Sequence, residues 1–346
     1  MKKSLQIGGA IVGLVVGGGF ASGQEIMQFF TSFGYYGILG AIIATFGLAF
    51  FGMNIAQLGY QLGTTSHKEV LHYISGRTIG TILDILITFF LFCVTVAMFA
   101  GTASIFRQVL GIDPVLGSVF MVGLTIFTLM LNTKSIINVI AIATPYLLAF
   151  MLLIALYSIL SMDLTLSEQV SLAERQPSAA PNWYMGSLLY ISYNIASALS
   201  MIIVIGSTAT SKKTAGWGGI FGGVLLGILI LLINAAMFAK MDVVSGKDMP
   251  ILEIARDIHP LIGFIMALGL VGMIYSTAVG MMYSFINRLV SPKDKVYKPT
   301  VVLFGIIGFM ASFVGFTNLV SKVYSIMGYL GFVLIVAVFF SWLKRK

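Results

Sequence analysis

The stretch Gly13-Leu14-Val15-Val16-Gly17-Gly18-Gly19-Phe20-Ala21-Ser22-Gly23-Gln24-Glu25 decides how this chain is read. It sits inside an apolar segment that begins after Lys2 and Lys3, yet it holds three consecutive glycines followed by polar residues and a carboxylate. Each interior glycine costs a helix roughly 1 kcal/mol relative to alanine. Irregular backbone at membrane depth survives only where it is buried in protein or lines a cavity. Close helix packing through small residues is the plainer alternative. Packing alone needs neither consecutive glycines nor a following Glu25, so the pattern favours a broken helix facing a cavity.

The chain around that stretch has 346 residues, 58% of them hydrophobic and 9% charged. A soluble domain of this size needs far more charge to cover its surface, so lipid is its solvent. Unbroken apolar runs such as Ile38–Ile55 and Ser325–Trp342 exclude the alternation of a barrel strand. An all-α polytopic membrane protein follows. Its apolar N-terminal stretch is too long and glycine-rich for a signal peptide and ends in no small-residue cleavage site, so it reads as the first span. Cys93 is the single cysteine, which excludes a disulfide framework or thiolate metal site. His67, His72 and His259 fall in connecting segments. A net charge of +8 would suggest nucleic acid in a soluble protein, but here it reports topology, and no nucleic-acid partner is expected.

Apolar segments long enough for a hydrocarbon core of ~30 Å fall at 5–32, 36–62, 79–106, 115–132, 136–161, 183–209, 215–239, 260–287, 299–316 and 320–343, about ten spans. A short interfacial helix is expected at 64–77. With the N-terminus inside, 14 of the 20 Lys and Arg residues fall in cytoplasmic segments and 6 outside. Asp113, Asp163, Glu168, Glu174, Asp242, Asp248, Glu253 and Asp257 fall outside. This is the positive-inside pattern, and it places both termini in the cytoplasm.

Ten spans divide after the fifth, giving halves at 1–162 and 183–346 joined by an extracellular linker at 163–182 with Pro177 and Pro181. Five spans per half require an inverted repeat, the signature of secondary transporters. Gly19-Phe20-Ala21-Ser22-Gly23 has a faint counterpart in Asn194-Ile195-Ala196-Ser197-Ala198, offset by about 175 residues. A mid-membrane break is therefore expected in the span at 183–209 as well. Asn194 must be bonded at that depth and points inward, either to a solute or to another helix. The Gly219, Gly223, Gly227 ladder reads as packing.

The Gly-x-Gly break and the five-plus-five layout resemble LeuT-type transporters of the amino acid–polyamine–cation superfamily. The string Gly-Gly-Gly-Phe-Ala-Ser-Gly-Gln-Glu resembles the bacterial YkvI-like membrane proteins of that superfamily. The resemblance implies a bacterial inner-membrane symporter, monomeric or homodimeric, that moves a small amine-containing solute, first of all an amino acid, by alternating access. Amides of Gly17, Gly18, Gly19, Phe20 and Ala21, with Ser22 beside them, would hold a carboxylate at a positive half-helix end. Carbonyls freed near Tyr193 and Asn194 would hold the ammonium group, with Ser197, Phe20 and Met98 completing the pocket. Spans three and eight would close it. In sodium-coupled members of the fold, hydroxyls of span eight meet carbonyls of the span-one break. The matching positions here are Ser276 and Thr277 with Gly13 and Val16, and the Met273 carbonyl would complete the set for Na+. The plain alternative is that Ser276 and Thr277 bond back to their own helix.

Glu25 is a carboxylate at membrane depth, a functional group by default. It would carry a coupling proton, contact a cationic solute, or cap the outer vestibule. Asp84 reads as an interfacial partner of Arg77 or Lys68. Lys247–His259 reads as an amphipathic lid, and Ser291–Lys298 as a basic inner loop set by topology. No metal-ligand spacing, Ser–His–Asp set or paired carboxylates assemble, so an enzyme is not expected and no cofactor beyond the coupling ion, Na+ or H+, is called for. A transporter-fold receptor that binds an amino acid without moving it is the remaining alternative.

Overall fold

The computed structural model describes residues 1–63, 67–131, 144–162 and 164–344, with backbone only at 67 and 144–148. The start of the short helix expected at 64–77, part of the span expected at 136–161, Lys134, Asp163, Arg345 and Lys346 lie outside the described residues.

The first apolar segment folds as three short helices, α1 (Lys2–Val15), α2 (Gly18–Ser22) and α3 (Gln24–Phe29). Then come α4 (Tyr36–Leu62), α5 (His67–Ile105) and α6 (Pro114–Leu129), followed by α7 (Thr144–Leu160) and α8 (Leu166–Ala173). Next are α9 (Trp183–Ser207), α10 (Lys212–Ala239), α11 (Met241–Val244) and α12 (Pro250–Ile258). The chain closes with α13 (Pro260–Leu289), α14 (Tyr297–Ser312), α15 (Phe316–Leu319) and α16 (Ser325–Leu343). Among the described residues, 6 helices are long and apolar enough to cross a membrane, and α6, Ala149–Leu160 and α14 are shorter apolar helices. Large apolar side chains face outward, with Phe46 72% and Leu153 66% exposed. Such a surface is stable in lipid and aggregates in water.

Two helices differ from the spans expected. The helix expected at 64–77 and the span after it form one element, broken within α5 at Gly76. The break expected in the span at 183–209 does not occur, because α9 runs without interruption from Trp183 to Ser207. Asn194 and Ser197 turn back onto their own helix: Asn194 Nδ2 donates to the Tyr190 carbonyl at 2.9 Å and Ser197 Oγ to the Asn194 carbonyl at 3.0 Å. No glycine or proline lies between Tyr190 and Ser200 to open the backbone, so these side chains satisfy themselves and the helix holds.

Helix α10 packs against α4 and α1, α9 against α4 and α16, and α13 against α5. The glycine ladder of α10 makes the first of these contacts. A Cβ on Gly219 would lie 2.4 Å from Gly52 backbone, on Gly223 2.2 Å from the Ala49 nitrogen, and on Gly227 2.0 Å from Thr45 Oγ1. At Gly219 and Gly223 the obstructing atoms are backbone, which cannot rotate away. Gly223→Leu is therefore expected to lower the thermal midpoint of the purified protein strongly, beyond the ~1–3 kcal/mol usual for overpacking. A midpoint within two degrees of wild type would show that α4 and α10 do not meet this way.

Two of the segments expected outside the membrane are packed rather than free. The segment expected as a linker carries α8, whose Gln169 is buried and bridges to the next loop, donating to the Ala239 carbonyl at 3.0 Å and accepting from the Met241 amide at 3.1 Å. The expected lid forms α12, with Ile251, Leu252, Ile254 and Ala255 buried on its inner face.

Candidate functional site

Helix α1 ends where Val16 turns to φ −74°, ψ 95°. Gly17 is extended at φ −112°, ψ −170°, and α2 restarts at Gly18. At this first break the irregular backbone is confined to Val16–Gly17, and Gly18, Gly19, Phe20 and Ala21, expected with Gly17 to offer amides to a carboxylate, lie in α2. A second bend falls at Gly23, whose φ of +85° suits glycine and turns α3 off the line of α2. Helix α13 is tied to the first break: the Gly18 amide donates to Thr277 Oγ1 at 3.1 Å. The Ala21 amide donates to the Gly17 carbonyl at 2.9 Å.

The turn at Gly23 carries Glu25 back against Gly19. A Cβ on Gly19 would lie 2.0 Å from Glu25 Oε1, so the carboxylate fills the space that a side chain there would take. Glu25 is 7% exposed, and the Tyr193 hydroxyl donates to its Oε2 at 2.5 Å. Gly19, Gly23 and Glu25 therefore form one unit: the first leaves room, the second makes the turn, and the third places its carboxyl group there.

A cavity of about 570 Å³ opens at this point. The break contributes Gly13, Val16, Gly17, Gly18, Gly19 and Glu25 to its wall. Helix α5 adds Met98, α9 adds Tyr193, Asn194 and Ser197, and α13 adds Met273, Ser276 and Thr277. Phe20, Ala21 and Ser22 do not line it. The first two are fully buried elsewhere in the core, and Ser22 Oγ donates to the Gly19 carbonyl at 2.7 Å while accepting from the Gln24 amide at 3.1 Å. The carbonyls of Tyr193 and Asn194 stay within a continuous helix and are not freed, contrary to expectation. Ser276 Oγ donates to the Met273 carbonyl at 3.0 Å, so its hydroxyl does bond back to its own helix.

Sequence reading missed Phe90 and Tyr324, which line the same cavity. Both look like ordinary apolar residues of a span. Tyr324 ends a widened, π-helical turn at Val320–Tyr324, a distortion common at functional sites. No local composition announces it.

Along α13 the cavity continues to Arg288. At roughly 1.5 Å per residue, Arg288 lies about 16 Å beyond Thr277, at the end of the bundle that holds the start of α1 and α10. Its Nη1 donates to Asp84 Oδ1 at 2.7 Å and Thr88 Oγ1 at 3.0 Å. Lys68 Nζ lies 3.7 Å from Asp84 Oδ2. Asp84 thus pairs with Lys68 and, beyond what the sequence suggested, with Arg288.

At the opposite end, side chains are bridged through Asp248. Thr317 Oγ1 donates to its Oδ1 at 2.6 Å, Ser104 Oγ donates to Oδ2 at 2.9 Å, and Arg107 pairs with Oδ2. Gln24 and Gln28 of α3 reach the same point, donating to Thr317 Oγ1 at 3.3 Å and to the Thr317 carbonyl at 3.0 Å. Beside it, Glu253 of α12 accepts from Gln108 at 2.7 Å and lies 3.4 Å from Lys247 Nζ. A separate cavity of about 310 Å³ lies around Ser104, Arg107, Asp248 and Thr317.

This fold is shared with solved structures of transporters. The chain superposes on MhsT in complex with L-phenylalanine with a TM-score of 0.60, 12% identity and coverage of 99% of this chain and 98% of that one. A Na+-coupled sialic acid symporter in a substrate-bound outward-open state gives a TM-score of 0.60 at 18% identity, covering 98% and 86%. A manganese transporter from Eremococcus coleocola gives 0.56 at 16%, covering 97% and 85%. These solved structures are of transporters, not enzymes. In sequence the chain is 24% identical over 345 residues to the uncharacterized membrane protein YkvI of Bacillus subtilis (strain 168), covering 99% of this chain and 96% of that protein. It is 24% identical over 329 residues to the uncharacterized protein YyaD of the same organism, covering 94% and 93%. No family model matches the chain.

Proposed function

We propose that this chain is a secondary active transporter of a small amine-containing solute, an amino acid being the first candidate, driven by Na+ through alternating access. One observation carries the reading: the cavity at the broken first helix runs to one end of the bundle while the Asp248 cluster closes the other. With the termini cytoplasmic, as the charge asymmetry indicates, this is an inward-facing state.

The coupling ion has a natural position at the break. The last carbonyls of α1, from Gly13 to Val16, lack amides further along the helix. Thr277 Oγ1 lies against that break through its bond with Gly18, and Ser276 with the Met273 carbonyl lines the same wall. Carbonyl and hydroxyl oxygens suit a hard cation. Thr277→Ala in proteoliposomes is expected to raise the sodium concentration for half-maximal uptake at least tenfold. An unchanged sodium requirement would remove this site from the account.

Glu25 supports a second reading, a proton-coupled carrier, because it is a buried carboxylate on the cavity wall bonded to a hydroxyl. An imposed pH gradient that drives uptake without sodium would favour it. A sodium gradient that drives uptake at constant pH would exclude it.

A further inference from the structure

Glu25 and the rings around it carry an inference about the solute that rests on the transporter reading above. Among the described residues no Lys, Arg or His pairs with Glu25. Its partner there is the Tyr193 hydroxyl, at 2.5 Å. A carboxylate so placed at membrane depth lacks a counter-charge, and one is strongly favoured there.

The rings beside it suit a positive group. Tyr193, Tyr324 and Phe90 all line the cavity. Their centroids stand 5.2 Å apart for Tyr193 and Tyr324, 5.6 Å for Phe90 and Tyr324, and 6.3 Å for Phe90 and Tyr193. The planes meet at 49°, 70° and 57°, so the three rings are tilted against one another rather than stacked. Aromatic faces attract a cation through their quadrupole, most strongly where water is excluded.

The same geometry disfavours a solute carboxylate. Glu25 Oε1 lies against Gly19, beside the α2 backbone that would have received it, so an incoming carboxylate would meet a carboxyl group already in that place. The Gly18 amide is already bonded to Thr277. Arg288, the basic residue on the cavity wall, is held by Asp84 and Thr88 about 16 Å further along α13.

We propose that Glu25 with the rings of Tyr193, Tyr324 and Phe90 forms a binding centre for an organic cation, so that the solute is recognised by its ammonium group and needs no carboxylate. The amino group of an amino acid would still fit, but its decarboxylated amine fits better.

The test is thermal stabilisation of the purified full chain in sodium by matched pairs: L-phenylalanine and phenethylamine, L-tyrosine and tyramine, L-lysine and cadaverine, with choline as a permanent cation. Ligand binding raises the midpoint by mass action. At least one amine or choline is expected to bind more tightly than any amino acid of the panel. For that ligand, Glu25→Gln is expected to weaken binding at least a hundredfold. Tyr324→Leu is expected to weaken it about tenfold, while Tyr324→Phe, which keeps the ring, stays within threefold of wild type. Should Glu25→Gln fail to fold, the Tyr324 pair decides. Amino acids that bind while their amines do not, or Glu25→Gln binding within threefold of wild type, would overturn the cation centre and leave the transporter reading standing. A panel in which neither amines nor amino acids bind would overturn the amine-solute reading and the centre with it.

Discussion

Gly19→Ala is expected to reduce solute uptake to background in membrane vesicles, whereas Gly9→Ala leaves it unchanged. The added Cβ at position 19 would lie 2.0 Å from Glu25 Oε1, an impossible contact, while at Gly9 nothing lies within 4 Å. The backbone at Gly19 is fixed on both sides, by the Gly18 amide on Thr277 and by the Gly23 turn. The carboxylate must therefore move, and the Tyr193 bond goes with it. Stability should not fall in step, since alanine is favoured over glycine in a helix by about 1 kcal/mol. An inactive protein with a near-normal thermal midpoint is the expected signature. Gly17→Ala is milder, because its Cβ would lie 3.2 Å from a Thr277 hydroxyl that can rotate, and its effect should fall on sodium dependence. Equal uptake by the Gly19 and Gly9 variants would show that the Glu25 position is incidental.

Asp248→Ala is expected to unlatch the opposite end. The carboxylate joins Thr317 at 2.6 Å to Ser104 at 2.9 Å and Arg107, the last two neighbours on one helical run. The Arg107 side chain is 62% exposed, so its pairing is screened and counts for little. The two hydroxyl bonds to a charged group contribute about 3 kcal/mol together, a factor on the order of a hundred in the closed-to-open ratio. A reporter on the cavity wall reads this: Met98→Cys in a Cys93→Ala background, treated with an impermeant thiol reagent from the Asp248 side. Modification is expected to accelerate at least tenfold when Asp248 is replaced. An unchanged rate would mean that other contacts, such as the Glu253 cluster, close that end alone.

What the sequence made legible follows from what lipid penalises. Consecutive glycines and a carboxylate are costly in a span, so Gly17–Gly19 and Glu25 stood out, and the structure brings them to one cavity wall. The Gly219, Gly223, Gly227 ladder was readable because a four-residue spacing of small residues aligns on one helix face. The continuity of α9 was misread because the faint match of Asn194–Ala198 to Gly19–Gly23 carried the break of the first span over to this one. Asn194 and Ser197 instead bond to carbonyls three and four residues back, a local remedy that composition does not distinguish from a break. The Asp248 cluster was hidden for a different reason. It joins residues 69 and 144 positions apart, and each one alone looks like an ordinary loop or helix-end polar residue. Phe90 and Tyr324 were hidden by abundance, since aromatic residues make up 12% of the chain.

The most direct test of the transporter reading is accumulation, in proteoliposomes with an inward sodium gradient, of the radiolabelled compound that most strongly stabilises the purified protein. The expected result is uptake above the external concentration that collapses when the gradient is dissipated. Saturable binding with no accumulation under any sodium or proton gradient would contradict it and make the protein a receptor built on a transporter fold.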